Sequence, residues 1–260
     1  MADKIALVTG ATSGIGAAFA NHFAKNGYDL ILTGHPDDNI MIDTSDLAKK
    51  YNIKIDTILA DLANETDVVK VEEIIKKNST IEVLINNAGF VFWKPFWQND
   101  IRSLEGMIKV HINAPVRFIY AALPAMTQNR KGIIINLSSL SSFIPIPQDS
   151  MYSATKLFQN SFMESLHISV RDKGIKVQVL CPGFVNTNFH KRAGVNPSEL
   201  KRNGIIRWMH AERVVGISIR NLSKKDKVIV VPGFWNKLIR LIITNIPRPL
   251  YYSLAAKYLH

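Results

Sequence analysis

The sequence predicts an α/β fold: a doubly wound, seven-stranded parallel sheet forming one domain over residues 1–260. Three observations carry this prediction. Short β-branched runs alternate with longer segments of helical period, which is the pattern of strand–helix–strand crossovers. A glycine-rich turn joins the first such run to the first helical segment. No Pro/Gly/Ser-rich linker, low-complexity tract or repeat divides the chain, and 47% apolar content is enough for a substantial core.

Taken in order, strands are expected over residues 5–9, 29–33, 53–59, 83–86, 132–137, 176–180 and 227–231. Segments 14–25, 65–77, 101–126 and 153–171 are long enough for crossover helices. The lone cysteine, Cys181, excludes an internal disulfide, and nothing before Asp3 and Lys4 resembles the apolar core of a signal peptide. A reducing, cytoplasmic setting is therefore expected. The longest stretch without Asp, Glu, Lys or Arg, residues 132–148, is interrupted by four serines and two prolines, so no membrane span is expected.

Net charge is +11, and its distribution is uneven. Residues 1–189 hold 18 basic and 18 acidic side chains, whereas residues 190–260 hold 14 and 3. Such asymmetry suggests an acidic partner for the last quarter: an anionic membrane met peripherally, an acidic carrier protein or a phosphorylated substrate. Ordinary solvated basic surface is the plain alternative. No nucleic-acid partner is expected. Within this region, residues 232–260 form a basic, apolar extension in which Pro247 and Pro249 separate two short apolar stretches.

The first strand runs into Thr9-Gly10-Ala11-Thr12-Ser13-Gly14-Ile15-Gly16. Glycine allows a tight turn and close approach to a pyrophosphate, whose charge the N–H groups and dipole of a following helix can hold. The Gly-xxx-Gly-x-Gly spacing departs from the usual dinucleotide fingerprint. Together with Asp61-Leu62, Asn86-Asn87-Ala88-Gly89, Asn113, Ser139, Tyr152-xxx-Lys156 and Pro182-Gly183-x-Val185-x-Thr187, it resembles the short-chain dehydrogenase/reductase family from residue 4 to about residue 187.

That resemblance implies a Rossmann-like domain that interconverts alcohols and carbonyls with NAD(H) or NADP(H), commonly as a homo-oligomer (dimer or tetramer). The implied cofactor contacts are Gly10, Thr12, Ser13, Gly14, Ile15, Gly16, Asp61, Leu62, Asn87, Ala88, Gly89, Pro182, Gly183, Val185 and Thr187, with Tyr152 and Lys156. Asn113 resembles the family asparagine that holds a water beside the active lysine. A dinucleotide-binding regulatory or scaffold protein without turnover is the alternative from another class, and the intact Ser139, Tyr152 and Lys156 argue against it.

Tyr152 and Lys156, four residues apart on an expected helix, fall on one face. A nearby ammonium favours the phenolate and so eases proton exchange. Ser139, at the end of the fifth strand, can hydrogen-bond a substrate oxygen as charge develops; Ser138, Ser141 and Ser142 are nearby alternatives, and Ser139 is preferred because its spacing before Tyr152 matches the family. The histidines form no HxxxH or HxH pair, so no metal site is expected.

Enzymes that prefer NAD place a carboxylate at the end of the second strand to bind the ribose 2′-hydroxyl. Here that position holds Gly34, followed by His35, so NADP(H) is favoured over NAD(H), with Asp37 and Asp38 able to oppose the phosphate. Asp61 resembles the family residue that hydrogen-bonds the adenine amino group; the alternative is a cap for the helix starting near Asn64. Phe90, Phe92, Trp93, Phe96 and Trp97 suggest an apolar pocket, with a hydrophobic ketone, fatty-acyl or steroid-like, as the expected substrate. The family resemblance implies a variable loop over about 184–210 that covers the substrate.

Overall fold

The computed structural model describes residues 4–37, 44–189, 207–224 and 227–258. Strands β1 (Ile5–Val8), β2 (Asp29–Gly34), β3 (Ile55–Leu59), β4 (Ile81–Asn86), β5 (Gly132–Leu137), β6 (Ile175–Leu180) and β7 (Ile229–Val230) form one sheet in the order β3-β2-β1-β4-β5-β6-β7. Every pairing is parallel. The chain builds outward from β1 to β3, then crosses back to place β4 against the other side of β1. The carboxyl ends of β1 and β4 therefore open a crevice at the point where strand order reverses.

Side-chain alternation divides the core into two layers. Leu7, Leu84 and Ile134 face one side with Val71, Phe118 and Met163, which belong to α3 (Glu65–Lys77), α5 (Ala114–Gln128) and α6 (Ser150–Val170). Val8, Val83, Ile85 and Ile135 face the other with Phe19, Phe23, Val214 and Val215, from α1 (Gly14–Lys25) and α7 (Ala211–Lys224). Helix α2 (Thr44–Tyr51) lies beside α1, and α8 (Phe234–Asn245) and α9 (Arg248–Tyr258) complete the chain.

The expected 101–126 helix is interrupted. Helix α4 (Ile101–Ile108) passes through a π-helical turn, Lys109–Asn113, before α5 begins. Pro115 explains part of this, since it has no N–H to offer the carbonyl of His111 one turn earlier. Gln159 Nε2 from α6 donates to that carbonyl instead.

The same glutamine ends a buried amide chain across the sheet. Asn86 Nδ2 donates to Asn136 Oδ1 at 2.9 Å, and Asn136 Nδ2 donates to Gln159 Oε1. Thus β4, β5, α6 and the π turn are fastened at the end of the sheet where the crevice opens. Asn136→Ala strands a donor on Asn86 and an acceptor on Gln159, and is expected to cost about 2–3 kcal/mol. A denaturant midpoint equal to that of the wild type would show that the chain is not a structural tie.

Candidate active site

Gly10 and Gly14 adopt φ of +61° and +58°, a region that L side chains rarely enter. Asn87 Nδ2 donates to the carbonyls of Thr9 and Gly10 at 2.9 and 2.8 Å, while Thr9 Oγ1 accepts from the N–H groups of Asn87 and Ala88. The loops after β1 and β4 are thereby laced together. Helix α1 starts at Gly14 with Ser13 as its N-cap, and the Ser13 side chain makes no capping bond. The first-turn N–H groups are left for an anion.

Gly10, Thr12, Ser13, Gly14 and Ile15 line a cavity of about 970 Å³. Gly16 does not. A Cβ there would stand 2.2 Å from the Gly10 carbonyl oxygen, so Gly16 serves close packing of turn and helix. This cradle, narrow and rich in N–H donors, fits the pyrophosphate of a dinucleotide.

At the adenosine end, β2 finishes at Gly34 and no carboxylate occupies that position. His35 is half exposed; its Nδ1 accepts from Asp37 N–H at 3.1 Å and its Nε2 lies 3.7 Å from Asp61 Oδ1. Among the described residues, His35 is the only lining group at this end able to carry positive charge. Asp38 lies outside the described residues. Asp61 and Leu62 line the cavity, and Asp61 is not the cap of α3, because Asn64 Oδ1 accepts from Thr66 N–H at 2.9 Å.

Tyr152 and Lys156 are both buried on α6 and both line the cavity with Ser139. Ser139 Oγ accepts from Ser141 N–H at 3.1 Å. Lys156 Nζ donates to the Leu137 carbonyl at 2.8 Å and lies 5.4 Å from the Tyr152 ring centroid. Burial raises the Tyr152 phenol above its ordinary range, outweighing the opposing Ser139 hydroxyl, with the Asp149 charge adding to the rise; burial also pushes the Lys156 ammonium down to about 8. The phenolate expected from the spacing is therefore not favoured. The ammonium is held by a carbonyl near the ring rather than aimed at the hydroxyl, and desolvation decides the balance. A phenol protonated at neutral pH is a proton donor, the state that carbonyl reduction requires.

Asn113 corrects the sequence reading. It is exposed at the end of the π turn and does not line the cavity. His111, two residues earlier and so on the opposite face, is buried with its ring edge-on to Tyr152 at 5.7 Å. Its Nε2 accepts from Phe90 N–H at 3.1 Å, which places the proton on Nδ1, 2.9 Å from Thr155 Oγ1. Thr155 Oγ1 donates in turn to the Tyr152 carbonyl at 2.8 Å. Burial first, then Lys156, holds the His111 ring well below the usual histidine range, so it is a neutral brace. The inward stripe Leu104, Met107, Val110, His111, Ala114 and Phe118 is visible in the sequence, and Asn113 lies off it.

The remaining cofactor-side residues, Asn87, Ala88, Gly89, Pro182, Gly183, Val185 and Thr187, all line the cavity. Beyond Tyr152 the walls become apolar: Phe90, Phe92, Trp93, Ile144, Ile146 and Phe189. Phe96 and Trp97 are exposed and do not line this cavity. Of the loop expected over about 184–210, residues 190–206 lie outside the described residues. The C-terminal extension closes this end: Ile239 of α8 lines the cavity, Arg240 packs over the Phe143 ring at 4.6 Å, and Tyr251 Oη of α9 donates to the Pro145 carbonyl.

A dinucleotide cradle thus leads into a Ser–Tyr–Lys centre, an arrangement able to hold a nicotinamide cofactor beside a proton donor. When bound, the nicotinamide supplies or accepts the hydride. A profile of the short chain dehydrogenase family matches residues 4–197, and the chain belongs to that family. It is 34% identical over 190 residues to the human very-long-chain 3-oxoacyl-CoA reductase, an alignment covering 72% of this chain and 61% of that protein. Among solved structures, a short-chain dehydrogenase from Sphingobium yanoikuyae in complex with NADPH is 28% identical, with TM-score 0.82 over 94% of this chain and 96% of that one. The bulky-bulky ketone specific alcohol dehydrogenase from Comamonas testosteroni is 27% identical, with TM-score 0.77 over 94% and 95%.

Two outcomes follow from this geometry. Tyr152→Phe is expected to lower kcat by about 10²-fold or more while dinucleotide binding persists, which stopped-flow turnover and fluorescence titration check together; a rate near wild type would remove the proton-donor role. Because Lys156 titrates near 8, its charge disappears as pH rises through that value, and carbonyl reduction should fall above it. Lys156→Arg keeps the charge, so a kcat/KM profile from about pH 6 to about pH 10 should lose that fall.

Proposed function

We propose that the protein is an NADPH-dependent reductase of hydrophobic ketones of fatty-acyl or steroid-like size. One observation carries this reading: a single cavity runs from the glycine turn, past Ser139, Tyr152 and Lys156, into a largely apolar end. Its volume of about 970 Å³ is at the upper end for small-molecule sites. The protonated Tyr152 supports reduction near neutral pH. The activities named for the similar proteins, on 3-oxoacyl-CoA and on bulky-bulky ketones, support a large carbonyl substrate.

NADPH is supported by Gly34, which puts no carboxylate at the end of β2 to oppose a 2′-phosphate, by the His35 imidazole that lines the cavity there, and by the NADPH complex of a similar enzyme. No helix among the described residues is long and apolar enough to cross a membrane. The extension is read as enclosing substrate, because its inner face packs on the cavity wall.

The test is a panel of long-chain and polycyclic ketones and their alcohols, scored by nicotinamide absorbance with both cofactors. Turnover of large ketones with NADPH is expected; none with either cofactor overturns the reading. For cofactor choice, Gly34→Asp is the direct variant, but its Cβ would meet Thr12 Cγ2 at 2.6 Å. Made in a Thr12→Ser background, which removes that methyl, Gly34→Asp should shift the NADPH/NADH affinity ratio towards NADH by about tenfold or more relative to Thr12→Ser alone. An unchanged ratio would place 2′ recognition elsewhere.

A further inference from the structure

Asp149 is 4% exposed and lines the cavity outside the cofactor cradle, and it bears on the proton donor only through its charge, which raises the Tyr152 phenol. It occupies the N-cap position of α6, where an aspartate ordinarily accepts from the helix's first N–H groups, but its side chain makes no such bond. Instead, Asp149 Oδ1 accepts from Ser153 Oγ at 2.6 Å, and the Ser141 side chain also favours the ionised carboxyl. Two hydroxyl neighbours satisfy at most about half of a carboxylate's acceptor capacity.

Among the described residues, no ion pair reaches Asp149, and Lys156 is the only lysine or arginine lining the cavity. Burial pushes the Asp149 carboxyl up to about 6, so it is ionised at neutral pH despite its apolar surroundings. A buried carboxylate short of donors is stabilised by any donor that a ligand brings. The Lys156 ammonium in the same cavity repels a cationic donor. A neutral hydroxyl meets the carboxylate without that repulsion, and the largely apolar walls hold the rest of the ligand.

We propose that Asp149 is a specificity residue that accepts a hydrogen bond from a hydroxyl on the substrate, so that the preferred substrates are hydroxy-ketones, apolar over most of their surface. This rests on the reductase reading above and narrows its substrate class. A purely apolar analogue would leave Asp149 with its remaining acceptors unmatched, and such mismatches discriminate more strongly than a methylene does.

Matched ketones differing by one hydroxyl test this: deoxybenzoin against benzoin, and 2-decanone against 1-hydroxy- and 4-hydroxy-2-decanone. At least one hydroxylated member is expected to show about tenfold or higher kcat/KM, mainly through KM. The preference should shrink in Asp149→Asn and vanish in Asp149→Leu, with thermal melting and cofactor titration confirming that both variants fold. Equal kcat/KM within every pair for the wild-type enzyme overturns the inference while leaving the reductase reading intact. A preference that survives in Asp149→Leu assigns the discrimination to another group and also overturns it. Failure of every ketone with both cofactors removes the reductase reading, and this inference with it.

Discussion

The site depends on how α6 is fastened to the end of the sheet. A helix packed only by apolar contacts can slide or rotate by fractions of an ångström, which is too much for a proton donor. Here Lys156 is bonded at both ends: its Nζ donates to the Leu137 carbonyl, and its own carbonyl accepts from Ser138 Oγ at 2.9 Å. One turn further along, Gln159 extends the Asn86–Asn136 amide chain to the carbonyl that Pro115 leaves without its helical donor. Each bond is directional and buried, so a shifted helix would leave several polar groups unsatisfied together. Most of the amide chain is satisfied within itself. Asn86 Oδ1 is a buried acceptor without a partner among the described residues.

That fastening also sets the electrostatics. Burying Tyr152 and Lys156 together disfavours both charges, raising the phenol and lowering the ammonium. The pair is therefore not a preformed phenolate–ammonium couple. It is a protonated phenol beside an amine that titrates close to physiological pH. His111 adds shape rather than charge: with Nε2 occupied by Phe90 N–H and Nδ1 facing Thr155, it braces the Tyr152 backbone and ring from the side of the Gly89–Phe90 loop.

Much of the fold and the cofactor half of the site was legible in the sequence for a local reason. Turn glycines, strand runs and the Tyr152-xxx-Lys156 spacing encode their geometry within a few residues, and all seven expected strands appear within a residue or two at most ends. What was not legible is what depends on rotation about a helix axis or on distant segments. Asn113 and His111 are two residues apart, and only the inward stripe distinguishes the buried one from the exposed one. Nothing in the sequence singles out Asp149, and its proposed role depends on a side chain turned away from capping, which only the structure shows. Ile239 reaches the cavity from 83 residues beyond Lys156, a contact that no spacing rule supplies.

This difference in legibility follows the division of labour in the chain. The cofactor end is built from the loops after β1 to β4 and after β6, whose strands are pinned by pairing on both sides or by adjacent helices, leaving little freedom in where the glycine turn and Asn87 stand. The substrate end is assembled from the segment after β4, the short helical turns after β5, Phe189, and α8 with α9. These are joined to the sheet by a few contacts, such as Arg240 on Phe143 and Tyr251 on Pro145, rather than by strand ladders. Changes there alter the shape and polarity of the pocket without disturbing the proton donor, because α6 is held independently from below. A common reaction centre can thus serve different carbonyl compounds, and the distinguishing chemistry of this chain lies at the substrate end, where a carboxylate sits within an otherwise apolar wall.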